Sequence, residues 1–403
     1  MDTSLIFSIL IIFLVLLMFF AALLIFRATV FGKVPPPVAQ AAPEHILVDA
    51  TLVAEHLASV LRVQTISELD RTRIDRSNFE TMHSLLERMY PRLHATLHRE
   101  KINEHSLLYT WPGRADELEP VALLGHLDVV PIDPATMNEW THPPFDGAVA
   151  DGFVWGRGAL DMKSTVVAIM ETVEGLIKAD YQPERTILLC FGHDEEIGGW
   201  QGARCIVETL EKRGVHLAAV FDEGGAIMER LLPGTTVPAA LIGVAEKGHA
   251  SVQLLVEGRP GHSSMPSPHT AIGILARAIT RLEASPMPAR LSLIKLMFTD
   301  LGIFLPFTQR LVFANTWLFG GTLLKRLEGS ATTNAQVRTT MAATVIHGGV
   351  KDNLLPAEAR AVVNCRLLPG DTGASLLEHI RKTVNDEAEQ IYLPEESSWE
   401  ASS

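Results

Sequence analysis

Four well-separated segments bring histidine or carboxylates to the ends of apolar runs, with glycine close by. They are GHLDVV with His126 and Asp128, GRGALDMKS with Asp161, GHDEEIGG with Glu195 and Glu196, and FDEGG with Asp222 and Glu223. Imidazole and carboxylate together suit a borderline divalent cation such as zinc, and two such ions about 3.5–4 Å apart can share one carboxylate. In the arrangement this suggests, one ion takes His126, Asp161 and Asp222, while the other takes Asp161 and Glu196 plus a ligand not identified among these segments. Glu195 stays free as a general base, because neighbouring side chains of an extended segment diverge and can divide ligand and base roles. Each residue also has a plainer reading. Asp161 could cap the helix that begins with MKSTVVAIM, and Glu196 alone could be a solvated surface acid.

Such segments meet only if the fold carries them to one rim. EPVALLG, TILLCFG and HLAAVF read as short, wholly apolar strands, and STVVAIMETVEGLIKA and QGARCIVETLEKRG between them as amphipathic helices. That alternation predicts an α/β domain with a mostly parallel sheet covered by helices, in which sites assemble at the C-terminal strand ends. Near residue 245 the pattern changes. HASVQLLVEG alternates, TTNAQVRTTMAATVIHGG and AEARAVVNCRLLPG are strand-like, and helical stretches separate them, so a smaller two-layer α+β lid domain is expected. The segment 291–320 is unusually apolar but interrupted by Asp300, Pro306, Gln309 and Arg310. A core hairpin, a partner surface and a patch lying on lipid all remain open for it, the first two being preferred.

The first residues carry a separate signal. Leu5 to Phe26 are 22 residues without a charge, enough for a helix of roughly 33 Å, which matches a bilayer core. The nearest small-x-small cleavage motif lies beyond Pro35, Pro36 and Pro37, which favours an uncleaved single-pass anchor over a signal peptide. The expected organisation is an anchor at 1–31, a Pro/Ala-rich tether at 32–45, the first part of a metal-binding catalytic domain at 46–244 and an incomplete lid or dimerisation domain at 245–403. Arg27 and Lys33 after the span weakly favour a cytoplasmic catalytic part. With 34 Lys and Arg against 47 Asp and Glu, a net charge of −13, the chain lacks the basic surface that a nucleic-acid partner requires. Cys190, Cys205 and Cys365 form no metal or disulfide spacing, and Cys190 reads as a small core residue.

The ordered set GHLDVVP, WTHPPFDGAVADGFVWGRGALDMK, FGHDEEIGGWQGA, DEGG, GVAEKG, GRPGHSSMP, GGVKDNLLP and VVNCRLLPGDT resembles the M20 family of metallopeptidases, within it the carboxypeptidase S and N-acyl-amino-acid hydrolase subgroup. The resemblance implies a dinuclear zinc hydrolase with a peptide or N-acyl amino acid as substrate. It makes His126 and Asp222 ligands of one zinc, Glu196 a ligand of the other, Asp161 the bridge, Asp128 the residue behind His126, and Glu195 the base. It further gives His262 the role of stabilising the reaction oxyanion, in some members across a homodimer, and places Asn353 and Arg366 among the groups that hold the substrate carboxylate and the reaction centre. Asn353 as a turn residue and Arg366 as an edge-strand charge are the plainer readings of those two. The family uses one more histidine, on a segment returning to the main sheet. His269, His347 and His379 do not occupy such a segment, so truncation at the C-terminus is expected, with the small domain's final strand and the closing part of the main sheet missing. For the localisation, the resemblance favours a non-cytosolic site for the folded part.

Overall fold

No polar stripe interrupts the apolar residues near the N-terminus, and in the computed structural model they form one helix, α1 (Thr3–Thr29), whose apolar side chains are almost all exposed. The structure describes residues 3–32, 48–229, 237–385, 389–392 and 398–399; the expected tether at 32–45 lies, apart from Gly32, outside them. The chain divides into two compact units, Ala39–Gly224 and Met1–Val38 with Gly225–Ser403.

In the unit Ala39–Gly224, Asp49 and Asp75 accept backbone N–H bonds at the starts of α2 (Ala50–Leu61) and α3 (Arg76–Met89), and Pro91 opens α4 (Pro91–Thr96). The strands β1 (His98–Ile102), β2 (Ser106–Trp111) and β3 (Val121–His126) follow, then the hairpin β4 (Ala148–Ala150) and β5 (Phe153–Trp155). Next come α5 (Lys163–Lys178), β6 (Ile187–Gly192), α6 (Ala203–Lys212) and β7 (Ala219–Phe221). The sheet order is β1-β2-β6-β3-β7. It is mixed rather than mostly parallel: β3 runs parallel to β6 and β7, whereas β2 is antiparallel to both β1 and β6. The difference arises at β2, which lies antiparallel to β6, and continues into HREKI, a polar strand without the apolar run that marks its neighbours, joined to β2 through Asn103 and Glu104 with φ of 47° and 71°. Helices cover both faces. Leu189 and Phe191 of β6 pack with Phe79, Met82, Val166 and Met170, and the alternate residues Leu188 and Cys190 pack with Ile206 and Leu210.

The other unit adds the hairpin β8 (Ala226–Met228) and β9 (Ala239–Leu241), the long strand β10 (Gly248–Glu257), the short β11 (Gly261–His262) and α7 (Ala271–Ala284). Four helices follow, α8 (Ser292–Asp300), α9 (Phe307–Ala314), α10 (Thr316–Leu327) and α11 (Ala331–Val337). β12 (Thr340–Gly348), β13 (Leu354–Leu355), β14 (Glu358–Leu367), α12 (Gly373–Val384), β15 (Glu389–Tyr392) and β16 (Ser398–Trp399) complete it. The sheet β12-β14-β10-β15 is antiparallel, and α7 and α12 bury its alternate residues, the two-layer form expected from the alternation of β10.

Four expectations are corrected in this unit. Segment 291–320 is helical, not a hairpin: Ile294, Phe298, Leu305 and Phe313 form a small core of their own with Val337. Residues 331–337 are helical because Ser330 caps them through the Thr333 amide. The small sheet does carry a strand beyond α12, since β15 and β16 both pair with β10. Arg366 stands on β14, between β12 and β10, and is therefore not an edge-strand residue.

Candidate metal centre

β3 ends at His126 and β6 at Gly192, side by side in parallel register. Segment 65–67 runs beside the chain just past β3, with Val129 N–H donating to Thr65 O (3.0 Å) and Ser67 N–H to Val129 O (3.1 Å). This brings the Ser67 hydroxyl to Asp128, whose Oδ2 accepts from it at 2.6 Å. Asp128 is fully buried and also accepts from the amides of Glu195 (3.1 Å) and Glu196 (3.2 Å). Its Oδ1 lies 3.3 Å from His126 Nδ1, which is itself 2.9 Å from the Asp128 carbonyl oxygen. One carboxylate thus fixes the imidazole, leaving Nε2 outward, and the backbone of the next strand end. Burial acts to raise the Asp128 pKa, but the bonds from His126, Ser67 and the Glu195 amide outweigh it and hold the carboxyl below its ordinary range.

The three adjacent acids of GHDEEIGG divide their work. Asp194 is buried and turned inward, accepting the amides of Gln201 (2.8 Å) and Gly202 (2.7 Å), so it closes the loop behind the site. Glu195 and Glu196 begin a single 3₁₀ turn, Glu195–Ile197, not an extended segment. Their side chains still diverge, since about three residues per turn set neighbours roughly 120° apart. Gly198 and Gly199, with φ of 101° and 68°, end the turn in a conformation that side chains disfavour. His193, also buried, is tied to Ser106 Oγ at 2.7 Å and takes no part in the outward cluster.

Asp161 is not the cap of α5: that position belongs to Met162, which makes no side-chain cap bond. Free of that task, Asp161 is exposed and places Oδ1 3.0 Å from His126 Nε2. Glu223 Oε2 and Glu195 Oε2 lie 3.8 and 3.9 Å from the same nitrogen. Two groups can offer ligand atoms within 4.8 Å of one another, His126 with Asp161 and Glu196, and His126 with Glu195 and Glu223. Asp222 belongs to neither; its Oδ1 accepts the Glu223 amide at 2.9 Å, and the residue lines an apolar cavity of about 130 Å³ shared with His126 and Glu195. DEGG offers either acid, and nothing in its spacing tells which one faces the imidazole.

The electrostatics are those of a site built for positive charge. Burial raises the pKa values of Glu195 and Glu223, and repulsion from neighbouring carboxylates adds to it. Burial and the Asp161 charge push Glu196 up to about 7. Burial alone would lower the His126 pKa, yet Asp128, Glu195 and Glu223 push it up to about 10. One imidazole among carboxylates is a donor set that fits a divalent cation, which would relieve that repulsion.

Two supporting residues do not stand out in the sequence as site residues, although Lys163 lies within GRGALDMKS. Ser67 lies 61 residues upstream of its partner in a segment with no motif. Lys163 is fully buried, donates to Val63 O (2.6 Å) and Val60 O (3.3 Å), and so ties the start of α5 to the end of α2; burial pushes its pKa down to about 7.

In the other unit, β11 pairs with β13, and Ser263 N–H donates to Asn353 O at 3.1 Å, so GHSS and KDNLL are held together. His262 is exposed, and its Nδ1 accepts the Ser264 amide at 3.2 Å, which leaves the proton to Nε2. Asn353 Oδ1 is buried without a protein partner. Arg366 is exposed on the sheet face opposite α7 and α12. Among the described residues, the candidate ligand groups include no histidine but His126.

Residues 122–338 match the family described as peptidase family M20/M25/M40. The chain is 36% identical over 364 residues to the probable carboxypeptidase S-like 2 of Dictyostelium discoideum, covering 88% of this chain and 70% of that protein. It is 42% identical over 311 residues to the N-fatty-acyl-amino acid synthase/hydrolase PM20D1.1 of Danio rerio, covering 76% and 60%. Among solved structures, the M20 family metallo-carboxypeptidase Sso-CP2 from Sulfolobus solfataricus aligns with a TM-score of 0.56 at 20% identity, covering 85% of this chain and 77% of that one. Human carnosine dipeptidase 1 aligns with a TM-score of 0.53 at 16% identity, covering 87% and 78%. These two likenesses concern the fold. The chain spans 60–70% of the length of the two curated relatives.

Proposed function

The chain belongs to peptidase family M20/M25/M40, and from that membership we propose that it is a zinc-dependent hydrolase of an amide bond next to a free carboxylate. The observation that carries the reading is the convergence of His126, Asp161, Glu195, Glu196 and Glu223 around one imidazole nitrogen, with Asp128 fixing both strand ends from behind. His126, Asp161 and Glu196, with Asp222 or Glu223, are the residues that would hold two zinc ions. When bound, zinc supplies Lewis-acid polarisation of the amide carbonyl and a more acidic water.

The remaining steps fall to side chains of this chain. Glu195, its pKa raised, takes a proton from water as the carbonyl is attacked and returns it to the departing nitrogen. His262, with its proton on Nε2, donates to the oxyanion, and a second copy pairing through the smaller unit would be the route by which it does so. Arg366 and Asn353 hold the substrate carboxylate, the guanidinium as a fork. As relatives, the carboxypeptidase S-like protein suggests a peptide with a free C-terminus, and the PM20D1.1 protein an N-fatty-acyl amino acid. An impaired, membrane-tethered form is the alternative if the site binds a single ion. α1 is read as a single-pass membrane anchor.

The test is turnover of N-acyl amino acids and of C-terminal dipeptides by the zinc-loaded chain and by Glu195→Gln. Loss of turnover with unchanged zinc content is expected for the variant. Equal turnover by both proteins overturns the assignment.

A further inference from the structure

The last turns of α1 do not stand free. Arg27 donates through Nε and Nη2 to the carbonyl of Ala314 (3.2 and 3.0 Å), the final residue of α9. Asn315, fully buried, donates to Leu24 O at 3.1 Å, and the Phe20 ring meets Trp317 edge-on with centroids 5.9 Å apart. Just past α1, Gly32 and Gly302 touch backbone to backbone: a Cβ added at Gly302 would lie 2.5 Å from Gly32 Cα. These contacts fix the depth of α9 and α10 along α1. Phe20 lies six residues before Phe26, the end of the apolar run, so at about 1.5 Å per residue Trp317 stands roughly 9 Å inside that end.

Around this level the helices turn large apolar side chains outward. At this level Trp317 is 58% exposed and Leu318 43%; elsewhere on the same segment Leu296 is 60% exposed, and Phe304 and Phe307 are each 42% exposed. Lys325 and Arg326 are exposed at the far end of α10. Helical backbone carries its own hydrogen bonds and can enter hydrocarbon, and aromatic and basic side chains favour the interface.

We propose that α8–α10 form a platform embedded in one leaflet of a lipid bilayer beside α1. The proposal rests on the reading of α1 as an anchor and goes beyond it, because a lone anchor would leave these helices in water. The hydrocarbon layer is the occupant that the contacts select: a helix that crosses the bilayer drags whatever is bonded to its last two turns to its own depth.

The experiment uses the full chain with Cys205→Ser, in which the remaining Cys190 and Cys365 are buried, reconstituted in phosphatidylcholine vesicles and spin-labelled at one introduced cysteine at a time. Accessibility to oxygen and to a water-soluble nickel chelate is compared at Phe13→Cys in α1, at Trp317→Cys and Leu318→Cys in the platform, and at Val350→Cys, which is 96% exposed. The expected result is a several-fold oxygen preference at positions 13, 317 and 318 and a nickel preference at 350. Position 318 reports independently should Trp317→Cys disturb the Phe20 contact. Nickel preference in the platform with oxygen preference at position 13 overturns the platform and leaves the anchor. Nickel preference at both removes the anchor, and the platform with it. Exclusion of both reagents at 317 and 318 means that protein, a second copy or another chain, covers the face, and overturns the proposal as well.

Discussion

Asp128 has more tasks than any other side chain of the site: it takes a hydroxyl, two amides and one face of an imidazole without water access. Asp128→Asn keeps the shape but turns one acceptor into a donor facing donors. Zinc affinity is therefore expected to fall about 10–100-fold, the usual effect of losing a partner behind a ligand, measurable by calorimetric titration. A second consequence concerns the choice between Asp222 and Glu223. Glu223→Gln is expected to weaken zinc binding more than Asp222→Asn, because only Glu223 lies within ligand reach of His126; the reverse order would show that loading the site exchanges the two acids. Glu196, pushed up to about 7, loses its ligand charge as pH falls through that value, so zinc affinity is expected to drop on going from pH 8 to pH 6.

Elements hold the site through a few cross-links that can be probed singly. His83 of α3 is buried, with Nε2 2.9 Å from the carbonyl oxygen of His105 in the β1–β2 turn. Burial lowers its pKa from 6.5 to about 4, while the bond to His105 works against that shift. The unfolded chain therefore binds the proton more readily between pH 6.5 and 4, and stability falls as pH drops through this window, by at most about 3 kcal/mol. His83→Gln keeps a donor without the titration, and melts recorded across the window are expected to show a shallower acid limb. The α1 contact has a comparable handle. Gly302→Ala forces Gly32 and Gly302 apart at an expected cost of about 1–3 kcal/mol, visible as earlier proteolytic release of α1.

For the whole molecule, the acidic cluster is a store of repulsion that a cation relieves. Zinc at about 100 times its Kd should raise stability by about 2.7 kcal/mol, and a chelator should remove that gain. Two ions per chain from metal analysis would fit a complete dinuclear site, and one would fit a half-built site. The chain matches 70% of the carboxypeptidase S-like relative and 60% of the PM20D1.1 relative, so stoichiometry is the measurement that bears on activity most directly.

The residue types were legible from the sequence because chemistry of this kind tolerates few substitutes. Glycine-flanked His126, Asp161, Glu195 and Glu196 stood out at the ends of apolar runs, and the alternation of β10 announced a one-sided sheet. The apolar helix at the N-terminus was equally plain, since its length and composition are local properties. Tertiary structure decided what depends on neighbours distant in the chain. Only packing shows that Ser67 and Lys163 support the site, that Glu223 turns toward His126 while Asp222 binds its amide, and that HREKI extends the sheet antiparallel. The same holds for 291–320, whose apolar residues serve a hairpin, a core or a surface equally well until α1 is seen bonded to Ala314 and Asn315. Composition fixes how much a segment gains by leaving water; only three-dimensional contacts fix what it meets.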